Sequence, residues 1–314
     1  MNVLQTIPEL SALPGPVCLA IGVFDGVHLG HRAVIERAVA SAKEHGGTAA
    51  VVTFDPHPAT ILRPDQVPAL LTSTRHKLKL LAELGVTHTL VQSFDHDFAS
   101  TPPANFIMHL AEACRPLRQI CVGENWAFGN GRSGNLKLLM LLGQTLRFDP
   151  VGVPSVLVDG EPISSTAVRA AIQSGDLKGA ARLLGRNFSV LGKVQPGRQL
   201  AMTLGFPTAN VPPECHQLPP NGVYLVDVNF DGQRKHGIAN IGLRPTVETN
   251  ATERLLEVHL FDFSADLVGH DLDVFFCEFL RPEQKFPSLD ALRAAIEADV
   301  IRAKQLIAGV RKSG

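Results

Sequence analysis

Two histidines three residues apart, His28 and His31, stand where an apolar run at residues 17–23 gives way to a helical pattern. The run is typical of a buried strand, and Asp25-Gly26 breaks it. At a helix start both imidazoles can point the same way, beside free backbone N–H groups and the positive end of the helix dipole. This arrangement predicts an anion site that stabilises charge on phosphoryl oxygens without a fixed positive charge.

The turn around these histidines matches neither of the two common nucleotide-binding loops. It lacks the Lys-Ser/Thr end of a P-loop and the Gly-x-Gly-x-x-Gly pattern of dinucleotide-binding proteins. A helix cap whose histidines merely face solvent is the alternative interpretation. The candidate nucleotide-binding residues of the segment are Gly22, Phe24, Asp25, Gly26, His28, Gly30 and His31.

A second helix start at residues 163–169 offers the same kind of site. Ser164 or Ser165 can cap this helix, and Thr166 follows in its first turn. Arg169 lies on the next turn, close enough to reach a phosphate held at the helix N-terminus. A serine cap by itself is ordinary, so this segment carries weight only in combination with the histidine turn.

Two loops follow other predicted strands. The segment Phe54-Asp55-Pro56-His57-Pro58 ends an apolar run, and its prolines predict a rigid loop. Asn125 follows the apolar run at residues 119–122. Because ligands of parallel sheets bind beyond the carboxyl ends of the strands, we expect both loops to meet the histidine turn at one rim.

The loop at residues 122–134 contains four glycines, so a ligand can approach its backbone closely. Trp126 and Phe128 supply flat apolar faces, and Arg132 supplies a guanidinium that can bind phosphate. The alternative is a turn with two core aromatic residues.

The second half of the chain has its own candidate chemistry in the segment Gly205-Phe206-Pro207-Thr208-Ala209-Asn210. Thr208 and Asn210 are two residues apart on an extended chain, so their side chains face the same side. Their oxygens suit Mg²⁺ shared with the phosphates of ATP. Glu257, in the middle of a predicted strand, is a candidate general base for a substrate hydroxyl. A proline turn and a solvated strand glutamate are the alternatives.

The element pattern predicts two domains, residues 1–184 and 185–314. The first alternates strands with helices, which favours an α/β fold with a parallel sheet and right-handed crossovers. The second has short strands, an Asp231-Gly232 hairpin turn and an amphipathic helix at residues 289–306, which predict a small antiparallel β-barrel with a terminal helix. Its strands are expected at residues 188–194, 222–229, 235–241, 254–261 and 272–280.

Composition narrows the class of protein. The 314 residues carry a net charge of −1 and are 45% hydrophobic, which argues against disorder and against electrostatic binding of nucleic acid. Five cysteines without Cys-x-x-Cys spacing argue against disulfides and zinc, and they favour the cytoplasm. No apolar run is long enough for a membrane span. The sequence leaves the oligomeric state, including a homo-oligomer, open.

The first two motifs together resemble the paired signature of the HxGH nucleotidylyltransferases, Rossmann-like enzymes that transfer AMP or CMP from a nucleoside triphosphate. The segments at residues 54–58 and 122–129 further resemble the flavin site of prokaryotic FAD synthetases. The resemblance implies flavin binding by Phe54, Asp55, Pro56, Pro58, Asn125, Trp126 and Phe128. It also implies that His28, His31 and Arg169 act on the phosphates of ATP.

The second half is similar to riboflavin kinases in the segments at residues 204–210, 221–224, 240–246, 256–259 and 279–286, in that order. Residues 1–310 as a whole resemble the bifunctional riboflavin kinase/FAD synthetases of bacteria. The resemblance implies that Thr208 and Asn210 hold Mg-ATP and that Glu257 is the catalytic base. Riboflavin, FMN and ATP would be its substrates, and FMN and FAD its products.

This sequence departs from the family at two places. Ala201-Met202 stands where relatives commonly carry Gly and Arg, and Val268-Gly269 stands where they usually carry Tyr-Gly. Two other functions remain open: a flavin-binding sensor without catalysis, and an adenylyltransferase for another phosphomonoester such as nicotinate mononucleotide or phosphopantetheine. The second of these leaves the C-terminal motifs unexplained.

Overall fold

The computed structural model describes residues 1–196, 205–245 and 252–313, which form two compact units. The first comprises Met1–Leu70 and Thr74–Ala167, and the second comprises Leu71–Ser73 and Val168–Gly314. Ala201, Met202, Leu204 and Thr246, which the sequence analysis singled out, lie outside the described residues. Among the described helices, none has the length and apolar character needed to cross a lipid bilayer.

The first unit is built on a parallel sheet. Its strands are β1 (Asn2–Leu4), β2 (Val17–Ile21), β3 (Thr48–Asp55), β4 (His88–Ser93), β5 (Leu117–Gly123) and β6 (Asp149–Val153), and a separate small hairpin is formed by β7 (Leu157–Val158) and β8 (Glu161–Pro162). Its helices are α1 (Leu29–Glu44), α2 (Pro58–Leu62), α3 (Thr74–Glu83), α4 (His96–Ala99), α5 (Pro103–Ala113) and α6 (Leu136–Leu146), with short 3₁₀ turns at Ile7–Ala12, Pro64–Gln66 and Asn130–Arg132. The predicted parallel α/β fold is confirmed.

The strand order β1-β4-β3-β2-β5-β6 fixes where a ligand can bind. The chain moves outward from β2 through β3 to β4 and then returns to the other side of β2 to form β5. The connections therefore reverse between β2 and β5, which opens a crevice beyond the carboxyl ends of these strands. The histidine turn leaves β2 at this point, and the loop with Asn125 leaves β5 there.

The central strands are buried on both faces, as expected for a parallel sheet covered by helices. All five residues of β2 are buried, and α1 packs on β2, β3 and β5. Val34, Ile35 and Ala38 form the buried stripe of α1. This packing holds the N-terminus of α1 at the crevice.

The second unit contains α7 from Val168 onward, and then an antiparallel sheet with a terminal helix. Its elements are α7 (Ser165–Ser174, shared with the first unit), α8 (Leu177–Leu184), β9 (Ser189–Lys193), β10 (Ala209–Asn210), β11 (Gly222–Phe230), β12 (Gln233–Pro245), β13 (Thr252–Leu260), β14 (Asp271–Pro282) and α9 (Leu289–Ser313). The strand order is β10-β13-β12-β11-β14-β9. Among the described residues, a bridge between Gln195 and Asn210 joins the two ends of this sheet, so the predicted small barrel with a terminal helix is confirmed.

Local signals place these elements as the sequence predicts. Asp231-Gly232 connects β11 to β12 with φ angles of 46° and 73°, the left-handed pair that suits a two-residue hairpin. Asp176 caps α8, and Gly185 ends it with a φ of 69°. Helix α9 packs on β12 and β14.

The residues between the two sheets pack with the second unit. Val168 and Ile172 of α7 and Leu177, Ala180 and Leu184 of α8 belong to the core of the barrel. The functional boundary at residues 184/185 stays a prediction, whereas the compact units divide after Ala167.

Candidate active sites

The backbone of the histidine turn is tightly folded. Phe24, Gly26 and Val27 have φ angles of 52°, 81° and 42°. Such values are uncommon outside glycine and unusual for a β-branched residue. A Cβ atom on Gly22 would lie 2.8 Å from the Phe24 ring, so the turn needs glycine there. Strain of this kind persists only where surrounding packing enforces it, and it is often found at functional sites.

His28 and His31 lie against one another at the start of α1. His28 is the N-cap, and its Nδ1 accepts a hydrogen bond from the backbone N–H of His31 at 3.2 Å. The two rings stack with their centroids 3.5 Å apart, and the Phe24 ring meets His31 edge-on at 5.3 Å. A Cβ atom on Gly30 would lie 3.2 Å from the His28 ring. Both imidazoles therefore lie on the same side of the helix N-terminus.

His31 is held as a neutral ring. Burial, followed by the neighbouring His28 and the ammonium of Lys77, holds its pKa well below the usual histidine value. Its Nδ1 is buried and has no hydrogen-bond partner among the described residues. Packing between His28 and Phe24 thus orients this imidazole, and at neutral pH the ring carries no net charge and can only donate or accept hydrogen bonds.

The N-terminus of α7 contacts the same turn. Ser164 is the cap, because its Oγ accepts a hydrogen bond from the N–H of Ala167 at 3.1 Å. The Ser165 hydroxyl donates to the carbonyl oxygen of Asp25 at 3.0 Å. Thr166 is exposed, and Arg169 is half-buried one turn along the helix. The structure therefore joins the two predicted phosphate-binding segments at Asp25.

The predicted flavin residues divide into buried and accessible groups. Phe54 and Phe128 belong to an aromatic cluster with Phe94, Phe98 and Phe106. Trp126 is half-buried and stacks on Phe128 with ring centroids 4.1 Å apart. Trp126 therefore offers an accessible flat surface, and Phe128 supports it from below.

The polar residues of these loops lie at the strand ends. Asp55 ends β3 and is exposed, and a cis peptide bond joins it to the exposed Pro56. Pro58 begins α2, which His57 caps. Asn125 is exposed, and its Nδ2 donates to the Ser155 hydroxyl at 3.4 Å.

The sequence analysis missed Lys77, on α3. Its side chain is 5% exposed, and its ammonium donates to the Thr53 hydroxyl at 3.2 Å. Burial lowers the pKa of Lys77 to about 8. The carboxylates of Asp25 and Asp55 partly oppose this effect, because they favour the charged form of the lysine. The sequence did contain a signal for this residue. Lys77 precedes Leu80 and Leu81 by three and four positions, so it is a charged residue on the apolar face of the helix.

Two cavities formed by described residues of the second unit share one lining residue. The first, of about 420 Å³, is lined by Asn210, Glu257, Arg281 and Phe286 among others. The second, of about 530 Å³, lies beside the segment 263–268 and includes Val268. Thr208 lines both cavities. Thr208 is therefore the point at which the two cavities adjoin.

Glu257 lies in the first cavity between two amide side chains. In the barrel it is the register partner of Asn210 on one side and of Asn240 on the other. These three side chains form a polar row across three strands. The row ends next to Thr208, since β10 begins at the following residue, Ala209. From the sequence, Asn240 was noted only as part of the segment 240–246 and was given no role in the site.

The segment before β10 is fixed by His259. The Nδ1–H of His259 donates to the carbonyl oxygen of Pro207 at 2.9 Å, and Phe206 meets the His259 ring edge-on at 5.5 Å. Gly205 has a φ of 89°, a conformation that favours glycine. His259 follows Glu257 by two residues, so both face the same side of β13.

An ion pair forms one wall of the first cavity. The guanidinium of Arg281 donates to both carboxylate oxygens of Asp299, which is 5% exposed on α9. Arg281 also lies over the ring of Phe286 at 5.4 Å. Sequence reasoning missed the role of Asp299, because it depends on how α9 packs against β14.

Comparison with known proteins matches one family to each part of the chain. The family described as FAD synthetase matches residues 11–167, and the family described as riboflavin kinase matches residues 184–307. A bifunctional riboflavin kinase/FMN adenylyltransferase of Escherichia coli K12 is 40% identical over 307 residues, 97% of each chain. The protein of the same description from Pseudomonas fluorescens is 41% identical over 292 residues, 93% of each chain.

A solved structure with the same fold is titled macrolide-efflux protein, from Streptococcus pneumoniae. It superposes with a TM-score of 0.82 at 27% identity, covering 97% of this chain and 99% of that one. The sequence relatives cover almost the full length of this chain and carry both activities in their description. The chain therefore belongs to the bifunctional riboflavin kinase/FMN adenylyltransferases, with the adenylyltransferase in its N-terminal part and the riboflavin kinase in its C-terminal part.

Proposed function

We propose that the histidine turn, the N-terminus of α7 and the loops after β3 and β5 form the site of FMN adenylylation. The FMN phosphate attacks the α-phosphorus of ATP, and pyrophosphate leaves. Because a phosphomonoester is already an anion, this step needs no general base. It needs donors aimed at the oxygens on which charge develops. His28, His31, Arg169 and the two helix N-termini supply them.

In this proposal the loops at the ends of β3 and β5 bind the flavin. Trp126 provides a stacking face for the isoalloxazine ring, and Phe128 holds it in place. Asp55 and Asn125 supply polar contacts, and the rigid segment around Pro56 and Pro58 fixes the position of Asp55. This assignment places FMN beside the histidine turn.

We further propose that riboflavin binds in the cavity that contains Glu257 and that ATP binds in the cavity beside Val268. Glu257 accepts the proton of the ribityl hydroxyl as the hydroxyl oxygen attacks the γ-phosphorus of ATP. The observation that carries the assignment is that Thr208 lines both cavities, next to the row that contains Glu257.

The oxygens of Thr208 and Asn210 suit Mg²⁺ bound together with ATP. Mg²⁺ commonly takes one or two protein ligands and completes its shell with phosphates and water. Among the described residues no group of three or more His, Cys, Asp or Glu side chains could hold a metal. A hydroxyl and an amide fit such a shared ion, which supplies charge neutralisation at the transferred phosphate.

The net charge and the cysteines of the chain bear on its binding partners and its cellular compartment. Small molecules are its substrates, and a net charge of −1 gives nucleic acid no electrostatic advantage. All five cysteines are free thiols, which suits the reducing cytoplasm.

The test is a time course of the purified chain with riboflavin, ATP and Mg²⁺, in which FMN and FAD are resolved. We expect FMN to appear first and FAD to follow at the expense of FMN. Flavin binding without either product would instead indicate a sensor. Formation of FMN alone, together with adenylylation of nicotinate mononucleotide or phosphopantetheine, would move the first site to another phosphomonoester.

A further inference from the structure

Lys77 belongs to a hydrogen-bonded chain that connects α3, β3 and the histidine turn. Its ammonium donates to the Thr53 hydroxyl at 3.2 Å, and this hydroxyl donates to the carbonyl oxygen of Val23 at 3.0 Å. Lys77 and Thr53 are 5% and 0% exposed. The chain of two hydrogen bonds therefore connects α3 to β3 and β3 to the turn that carries His28. A buried network of this kind fixes the relative positions of the elements it joins.

Two carboxylates, those of Asp25 and Asp55, interact electrostatically with Lys77. Asp25 lies in the histidine turn and is 3% exposed, and Asp55 ends β3. Both carboxylates act on Lys77 and favour its charged form. ATP and FMN bring several negative charges to the same rim. Because like charges repel strongly where water is excluded, the two carboxylates would oppose these anions unless a cation offset them.

We propose that Lys77 is a positioning residue for FMN adenylylation: it fixes the histidine turn against β3 and offsets the carboxylates of Asp25 and Asp55, so that the site accepts anionic phosphates. The inference rests on the proposed function of the histidine turn. Lys77 also acts on His31 of α1. Lys77 helps to keep that ring neutral, and at neutral pH Lys77 itself carries a positive charge next to the histidine turn.

The first experiment compares Lys77→Met and Lys79→Met in the full chain. Lys79 is two residues along the same helix, so it points away from Lys77 and serves as the matched control. We expect Lys77→Met to lower kcat of FAD formation about 10²-fold, the loss typical of a misplaced reacting group. FMN formation by the same protein should not change, and Lys79→Met should leave both reactions unchanged. A normal kcat of FAD formation in Lys77→Met overturns the proposal.

The second experiment measures FAD formation between pH 7 and 9 in the wild type and in Lys77→Arg. The lysine loses its proton as the pH rises through about 8, whereas a guanidinium keeps its charge. The wild-type rate should therefore fall over this range, and the Lys77→Arg rate should not. The same fall in both proteins overturns the proposal, even if Lys77→Met fails to fold. A His31→Ala protein with a normal rate of FAD formation would instead reject the proposed site and leave the Lys77 profiles to be explained separately.

Discussion

Neutral imidazoles suit the position of His28 and His31 at the N-terminus of α1. Two imidazolium rings stacked 3.5 Å apart would repel each other, and the positive end of the helix dipole would add to the repulsion. Burial and these neighbours lower the pKa of His31, so the unfolded chain binds this proton more tightly than the native one. As the pH falls below about 6.5, His31 therefore reduces the stability of the fold.

His31→Ala should lower the rate of FAD formation steeply and leave the affinity for FMN nearly unchanged. Removal of one preorganised donor costs about 3–4 kcal/mol of barrier, or roughly 10²–10³-fold in rate. Single-turnover FAD formation and FMN binding by fluorescence quenching measure the two effects in one protein. FMN formation serves as the internal control. Weak FMN binding with normal turnover at saturating FMN would place His31 in the flavin site instead.

Glu257→Gln should abolish FMN formation and leave FAD formation from supplied FMN intact. The amide keeps the shape of the side chain but cannot accept the proton, and loss of a positioned base costs about 10²–10⁴-fold. Product analysis with riboflavin and with FMN as separate substrates measures both reactions. Parallel loss of both activities would point to a folding defect and against the assigned role.

Among single residues, the sequence could predict those that belong to a local motif. His28 and His31 are three residues apart on one helix, and Thr208 and Asn210 are two apart on an extended segment, so geometry follows from spacing. Lys77 could not be assigned in this way. Its role depends on which face of α3 is buried and on which strand that face meets.

Two helix N-termini meet the histidine turn, and Ser165 ties the second of them to it. Ser165→Ala removes the hydrogen bond to the Asp25 carbonyl oxygen. We expect the activation barrier of FAD formation to rise by about 1 kcal/mol, which lowers its rate roughly fivefold. The rate of FMN formation should not change. Ser174→Ala is the control, because the Ser174 hydroxyl donates within the same helix, to the carbonyl oxygen of Ala171. An equal effect of both variants would mean that general stability of α7, and not its attachment to the turn, sets the rate.

Long and strongly patterned elements were predictable, and short edge elements were not. The apolar runs that became β2, β3 and β5 are buried on both faces, so their composition identifies them. β6 contains Pro150 and Gly152, which indicate a turn, yet an edge strand tolerates them. β1 has only three residues, and its pairing with β4 decides its structure.

On the scale of the molecule, the helix pair before the barrel decides how the kinase part can be isolated. A fragment of residues 186–314 should form FMN but no FAD. It lacks α8, whose Leu177 and Leu184 pack in the barrel core. Each large buried side chain contributes roughly 1.5–3 kcal/mol, so a fragment of residues 168–314 should unfold at a clearly higher temperature. Thermal unfolding of both fragments measures this, and equal midpoints would show that α8 adds nothing to the core.

Among the residues that the structure describes, the two ends of the barrel sheet meet in one backbone pair, between the N–H of Gln195 and the carbonyl oxygen of Asn210 at 2.9 Å. The other neighbouring strands are held by ladders of several residues, apart from the two-residue pairing of β10 with β13. Local opening of the cylinder is therefore least costly at β10. The same short strand carries Asn210, a proposed ligand of Mg-ATP, so the proposed nucleotide site adjoins this closure of the barrel. We therefore expect a nucleotide bound at the proposed site to hold the barrel closed, and slower exchange of the Gln195 amide hydrogen on addition of ATP would show this.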